Sequence, residues 1–229
     1  MSFDGDRYEF VYIAGVEEAI DKAGFTPLTS FPDLHKFYRS TDLFFLFANR
    51  LMRPSRPDYQ QYIEYLNLSG KSYNSLDILS RSGGKKATDN LEIFGISELD
   101  DNNFYHLYFF THGLRYHPES LEKAQNLQEN EPVFLVSEPD NSHDPQAIYV
   151  TTEDKYNIGY CPRYLTDDIH QFLESEPESI RVTVEKVNPP PAPIQFRVLC
   201  HLIARNFDNY QPFSSEKYRS IAERELTVP

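Results

Sequence analysis

The chain has 229 residues, of which 40% are hydrophobic and 25% charged, enough apolar sequence for one large or two small folded domains. Lys and Arg number 22 against 35 Asp and Glu, so the formal net charge is −13 at pH 7. This acidity excludes a broad basic face that coats nucleic acid, because such binding depends on neutralising phosphates. Any contact with nucleic acid must therefore be made in a local pocket.

The cysteine content and the hydropathy pattern indicate the compartment. Cys161 and Cys200 are too few for a disulfide scaffold and lack the CxxC spacing of a zinc knuckle. We expect no signal peptide, and no apolar run reaches the roughly 18 residues of a spanning helix. The sequence thus predicts a soluble cytoplasmic protein with no membrane partner. It shows no metal-ligand cluster, nucleophile elbow or phosphate loop, so we expect no metal, no cofactor and no catalysis by this chain alone.

The first hundred residues predict a small α/β module. A strand is expected at Tyr8–Ile13, and Val16–Ala23 should form a short amphipathic helix that stops at Gly24. A further helix can open at Pro57, and Ser75 can cap a short helix after it. The helix after Pro57 would place four apolar or aromatic residues on one face, at the i, i+3, i+4, i+7 positions: Tyr59, Tyr62, Ile63 and Leu66.

The second half predicts a strand-rich domain with short helices. Residues 95–103 are polar and acidic and form the predicted domain boundary. A helix is expected to begin near Arg163, with Leu165, Ile169, Phe172 and Leu173 on one face. A shorter helix is expected to follow Pro118. The predicted strands are Phe104–Thr111, Pro132–Glu138, Ala147–Thr152, Ile180–Val187 and Ile194–Ile203. Residues 151–160 are expected to form a hairpin that turns at 153–155.

One polar loop between two predicted strands carries most of the candidate chemistry. In EPDNSHDPQAIYV, Asn141, His143 and Asp144 offer an amide, an imidazole and a carboxylate. All three groups can bond a hydroxyl or the edge of a base. The alternative is structural, with Asp144 serving only to cap a turn.

Two further turns carry the arginines. The block GLRYHP holds Arg115 and Tyr116, and IGYCPR ends at Arg163. An arginine beside an aromatic ring suits a phosphate next to a stacked base. If the predicted helix forms, Arg163 lies at its positive end, which favours an anion. The structural alternative pairs Arg115 with a carboxylate and buries Tyr116 in the core.

The blocks GLRYH, EPDNSHDPQAIYV and IGYCPR, in this order and at these intervals, resemble the HIRAN domain over about residues 104–207. That family occurs alone in bacteria and phages and at the front of eukaryotic SWI/SNF-type helicases. The resemblance implies a small closed β-barrel, similar to the OB-fold, that binds single-stranded DNA and captures free 3′ ends. It implies seven nucleic-acid-binding residues: Arg115, Tyr116, His117, Asn141, His143, Asp144 and Arg163.

The resemblance also implies roles for these residues. Arg115 and Arg163 would hold phosphates. Asn141 and Asp144 would line the pocket for the terminal nucleotide, with Asp144 accepting the proton of the 3′-hydroxyl.

Two of the aromatic members of the set depart from the family pattern. Tyr116 and His143 would stack on or flank the terminal bases. His117 and His143 stand where the helicase-type members have tyrosines.

Residues 8–94 resemble, more diffusely, the small N-terminal subdomain of HipA-type toxin kinases. The segments that carry this likeness are FVYIAGVEEAIDKAGFTPLTSFPDL, LFFLFANRLM, RPDYQQYIEYLNL and LDILSRSGGKKATDNLEIF. Some related systems encode that subdomain as a separate protein that restrains its kinase. No kinase lobe follows, so the resemblance implies no kinase activity.

The combined prediction is an α+β protein: a HipA-like α/β module at 1–100, a HIRAN-like barrel at 104–207 and a tail at 208–229. The tail has a marginal helix as one option and disorder as the other. The predicted function is recognition of single-stranded DNA, with free 3′ ends as ligand, in a bacterial or phage protein. The alternative is a protein-interaction or antitoxin-like regulatory module acting on a kinase, helicase or nuclease partner, which the acidic charge favours.

Overall fold

The computed structural model describes residues 1–97, 99–116, 118–207 and 210–222. The chain divides into two compact units, one formed by Met1–Leu51 with Phe213–Pro229 and the other by Met52–Pro212. Within the described ranges, no helix combines the length and apolar content that crossing a bilayer demands.

The first unit is a three-stranded antiparallel sheet with two helices. Strands β1 (Ser2–Phe3), β2 (Tyr8–Phe10) and β3 (Tyr38–Ser40) pair in that order, with helices α1 (Gly15–Ala23) and α2 (Phe45–Ala48). Its core is aromatic: Phe31 is buried and stacks on Phe10 with ring centroids 3.9 Å apart. Helix α1 ends at Gly24, as predicted, because this residue adopts the left-handed conformation with φ 64°.

The predicted C-terminal tail contributes to this unit. A single turn of 3₁₀ helix forms at Glu216–Tyr218. The backbone N–H of Ala14 donates to the carbonyl of Arg219 over 2.7 Å, which ties the tail to the start of α1. The rest of the predicted tail helix, from residue 223 onward, lies outside the described residues.

The second unit begins with two helices, α3 (Tyr59–Tyr65) and α4 (Ser75–Ser82). Helix α4 is capped by Asn74, one residue before the predicted Ser75, because the Asn74 side chain accepts from the backbone N–H of Leu76 at 2.7 Å and of Asp77 at 3.2 Å.

Helix α3 is fixed to the strands of the same unit by hydrogen bonds. Asn188 Nδ2 donates to the Tyr65 carbonyl over 2.8 Å, and Lys186 Nζ donates to the Glu64 carbonyl over 2.8 Å. Residues 52–103 therefore pack with the strand-rich part of the chain. The division between the two compact units, after residue 51, does not coincide with the boundary expected at 95–103. The boundary at 95–103 between two domain families stays a prediction.

The centre of the second unit is a curled six-stranded antiparallel sheet. It contains β4 (Phe104–Phe110), β5 (Pro132–Ser137), β6 (Ile148–Thr151), β7 (Asn157–Tyr160), β8 (Ile180–Val187) and β9 (Val198–Arg205), in the order β4-β9-β8-β5-β6-β7. Helix α5 (Pro118–Ala124) precedes β5, and α6 (Arg163–Ser175) follows β7. The last predicted strand starts late, because Ile194–Phe196 forms a 3₁₀ turn instead.

The sheet is open, so the closed barrel expected from the resemblance is wrong. Its edge strands β4 and β7 meet in the described structure at one bridge, where His112 and Tyr160 exchange backbone hydrogen bonds of 2.8 and 2.9 Å. Directly after His112, Gly113 adopts φ 83° and leads into a 3₁₀ helix at Leu114–Tyr116. The chain thus leaves the edge before a second pair can form, and the result is a half-barrel.

Helix α6 packs its apolar face against the sheet. Leu165, Ile169 and Phe172 on one helical face are all buried, as their spacing predicts. The Phe172 ring meets that of Tyr105 on β4, with centroids 6.3 Å apart. Burial of this face fixes where α6 begins, and that start places Arg163.

A histidine pair on β4 and β9 predicts that stability depends on pH. His106 Nδ1 lies 3.0 Å from His201 Nε2, and the His201 side chain is only 15% exposed. Burial lowers the pKa of His201, although the nearby Glu185 carboxylate opposes this shift. The other groups that face it are Tyr108, Arg81 and Lys71.

The direction of the pH effect follows from the lowered pKa. Below about pH 6.5 the unfolded chain takes up a proton on His201 more readily than the folded chain does. The free energy of unfolding is therefore expected to fall as the pH drops from 7 through 6.5 towards the lowered value. Urea denaturation across this range should give a shallower pH dependence for His201→Gln, and an unchanged slope would contradict the assignment.

Candidate nucleic-acid interface

A cleft of about 800 Å³ opens in the second unit between the end of β4, the loop after β5 and the start of α6. Five of the seven predicted residues line it: Tyr116, Asn141, His143, Asp144 and Arg163. Arg115 contacts Tyr116 at its edge. The remaining predicted residue, His117, lies outside the described residues. The fold therefore gathers side chains from three separate sequence blocks into one cavity.

The loop between β5 and β6 is held in shape by its own polar side chains. Asn141 Oδ1 accepts from the backbone N–H of His143 at 2.9 Å and of Asp144 at 3.1 Å. Asp144 Oδ1 accepts from the backbone N–H of Gln146 at 3.0 Å. Asn141 and Asp144 thus have the structural turn-forming role that the sequence also allowed, while they face the cleft.

Glu138 connects this loop to strand β7. Its Oε2 atom accepts from Asn141 Nδ2 at 2.5 Å and from the Tyr160 hydroxyl at 3.1 Å. Sequence reasoning missed Glu138 as a site residue. The available signal was its place, as a carboxylate at the end of a strand three residues before Asn141.

Arg163 lies at the mouth of the cleft and bridges two parts of the site. Its Nε donates to Asp144 Oδ2 over 2.7 Å, and one terminal nitrogen donates to the His143 carbonyl over 3.2 Å. The Arg163 side chain is 74% exposed, whereas that of Asp144 is 20% exposed. The guanidinium therefore keeps access to solvent and can bind a phosphate without leaving the site.

The first turn of α6 adds a favourable field for an anion. The N-cap residue, Pro162, makes no side-chain capping bond, and the first turn contains no acidic residue. Unpaired amides and the helix dipole at such an end favour negative charge. Cys161 and Thr166, on either side of this turn, both line the cleft.

Tyr116 offers an aromatic surface at the rim. Its residue is 68% exposed, so the alternative that it belongs to the core is wrong. Arg115 donates to the Tyr116 hydroxyl over 2.5 Å, and its guanidinium carbon lies 4.6 Å from the ring centroid. The ring is covered on one side by a cation and can stack a base on the other.

A second wall of the cleft comes from residues that sequence reasoning did not select. Glu92 and His112 line it, and Glu92 Oε1 lies 2.7 Å from Lys85 Nζ and 3.8 Å from His112 Nε2. Burial lowers the pKa of His112, with the positive charge of Lys85 adding to the effect and Glu92 opposing it. The lowered pKa favours the neutral imidazole at pH 7. The described lining of the cleft combines Arg163 with two carboxylates, Glu92 and Asp144.

Comparisons with known proteins address the second half of the chain. No curated protein matches the sequence. The crystal structure of the HIRAN domain of human HLTF is similar at 21% identity and a TM-score of 0.34, covering 44% of this chain and 77% of that one. A crystal structure of a protein from Lactobacillus plantarum is similar at 19% identity and a TM-score of 0.34, covering 44% of this chain and 96% of that one.

The family comparison is more direct. The model of the HIRAN domain matches residues 104–204, within three residues of the range expected from the three blocks. It begins after residue 94, so the likeness of residues 8–94 to HipA-type kinases gains no support from it and stays a prediction. The second half of the chain, at residues 104–204, is thus matched to the HIRAN domain family.

Proposed function

We propose that this protein binds single-stranded DNA and holds a free 3′ end in the cleft, without a catalytic step. One observation carries the proposal. Tyr116, Asp144 and Arg163 come from three sequence blocks and line one cleft beside the N-terminal end of α6. HIRAN domains are known generally as DNA-binding domains, and residues 104–204 match that family. A local pocket of this kind is also the form of binding that a net charge of −13 permits.

The chemistry divides between the rim and the interior. Arg163 and the first turn of α6 attract a backbone phosphate, and the exposed ring of Tyr116 stacks a base. Inside the cleft, the Asp144 carboxylate is an acceptor that suits a hydroxyl donor. A terminal phosphate is disfavoured there, because Glu92 and Asp144 both line the cavity and repel it.

The direct test is fluorescence anisotropy at low and moderate salt with short oligonucleotides that differ only at their ends. A single strand with a free 3′-hydroxyl should bind more tightly than a 3′-phosphorylated strand or a blunt duplex. If the protein bound none of the three oligonucleotides, the proposal would be wrong. In that case the interaction module becomes the better explanation of the acidic surface, and a protein partner would be sought.

Asp144→Ala tests the proposed hydroxyl contact. We expect affinity for the 3′-hydroxyl strand to fall about 10-fold, because a hydrogen bond to a charged acceptor is lost. Affinity for the 3′-phosphorylated strand should stay the same or rise, since the variant frees Arg163 from its 2.7 Å ion pair.

Asp154→Ala is the matched control for this variant. Asp154 is also a loop carboxylate paired with a cation at 2.7 Å, here Lys123. The Asp154→Ala variant should leave the affinities for both strands unchanged. Equal losses on both strands in Asp144→Ala would contradict the role of Asp144 in reading the 3′-hydroxyl.

A further inference from the structure

The cleft is completed by a segment that lies outside the HIRAN-matched range. Residues 83–94 leave the end of α4 and return, with the backbone N–H of Ile93 donating to the Gly83 carbonyl over 2.9 Å. Phe94 then stacks on Tyr164 in the first turn of α6, with ring centroids 4.1 Å apart and planes 3° from parallel. The backbone hydrogen bond and the ring stacking together hold in place the wall of the cleft that carries Glu92.

Glu92 presents an acceptor to the cavity. Its side chain is 32% exposed, and both of its described polar contacts, to Lys85 and His112, use the Oε1 atom. Among the described residues, Oε2 has no hydrogen-bond partner within the chain. A carboxylate only accepts hydrogen bonds, so this atom is available to a donor of the ligand.

We infer that Glu92 selects the base at the bound 3′ end and favours adenine, cytosine or guanine over thymine. The inference rests on the proposed function, and it names the ligand class of the same cleft. A DNA phosphate is repelled by this carboxylate, whereas an exocyclic amino group donates to it. Adenine, cytosine and guanine each carry such a group on the pairing edge. On the same edge, thymine carries one N–H between two carbonyl oxygens. These oxygens are repelled by the carboxylate, so thymine is the less favoured base.

The surroundings of Glu92 preserve its acceptor character. Lys85 binds Oε1 and leaves Oε2 to the ligand. His112 lies 3.8 Å from Oε1, beyond a direct hydrogen bond, so it does not compete for the carboxylate. Because residues 83–94 lie outside the HIRAN-matched range, this selection would be a property of the chain and not of the family.

The experiment uses the 229-residue chain and single strands of one common sequence whose last nucleotide is dA, dC, dG or dT. With the unmodified protein, the dA, dC and dG ends should bind about 3- to 10-fold more tightly than the dT end. Glu92→Gln should equalise the four affinities by weakening the first three. Affinity for the dT strand should stay the same or rise, because the variant removes a charge that repels the thymine carbonyls and the phosphate. Retained binding of this strand also shows that the variant folds.

Two further variants serve as controls. Glu178→Gln makes the same charge change on the exposed turn beyond the far end of α6, and it should keep the preference. Lys85→Met should keep it too, because Glu92 retains its charge.

The outcomes separate the two claims. No binding of any strand by the unmodified protein would overturn the proposed function. Binding with equal affinity for all four ends would overturn the role of Glu92 alone. A preference that persists in Glu92→Gln would assign the selection to another residue.

Discussion

Replacing Gly159 with alanine is expected to lower the free energy of unfolding by about 3 kcal/mol. Gly159 adopts φ 117°, which side-chain-bearing residues rarely occupy. A Cβ atom there would lie 2.7 Å from Thr111 Cβ and 2.8 Å from the His112 carbonyl oxygen. Since these atoms belong to the edge where β4 meets β7, relief of the clash must separate the two strands.

The matched control is Gly70→Ala. Gly70 also has positive φ, at 73°, but no atom lies within 4 Å of the position of an added Cβ. The backbone penalty alone is about 1 kcal/mol, so this variant should lose only that amount. Urea denaturation followed by circular dichroism measures both. Equal losses in the two variants would show that the approach of β4 to β7 at Gly159 is not tight.

Arg163→Met is expected to weaken single-stranded DNA binding about 10-fold or more at low salt. The substitution removes the cation at the mouth of the cleft and leaves Asp144, 20% exposed, without its 2.7 Å partner. The logarithmic dependence of affinity on salt should become shallower by about one unit, since one phosphate contact is lost.

Arg56→Met provides the comparison. Arg56 is an exposed arginine paired with Asp58 at 2.8 Å, so the variant removes an equivalent ion pair away from the cleft. It should change affinity only slightly and leave the salt slope intact. The same slope in the Arg163 variant and the unmodified protein would exclude Arg163 from phosphate contact.

Local chemistry along the sequence determined much of the second half of the fold. β-branched and aromatic runs predicted β4, β5, β6 and β8 to within one or two residues, because side-chain shape and alternation act within a few neighbouring positions. The apolar face of Leu165, Ile169 and Phe172 predicted α6 and its start at Arg163. The three polar blocks also predicted five of the residues that line the cleft: Tyr116, Asn141, His143, Asp144 and Arg163.

The tertiary structure alone decided how the sheet ends and what completes the site. The half-barrel stays open because Gly113 turns the chain after one bridge between His112 and Tyr160. A contact between two strand edges that are far apart in sequence leaves no local pattern from which it can be predicted. Glu92 and Glu138 escaped prediction for the same reason. Their roles arise from contacts with His112 or Tyr160, which are brought near by packing between distant segments. Residue type specifies what a side chain can bind, but only the folded chain determines what it meets.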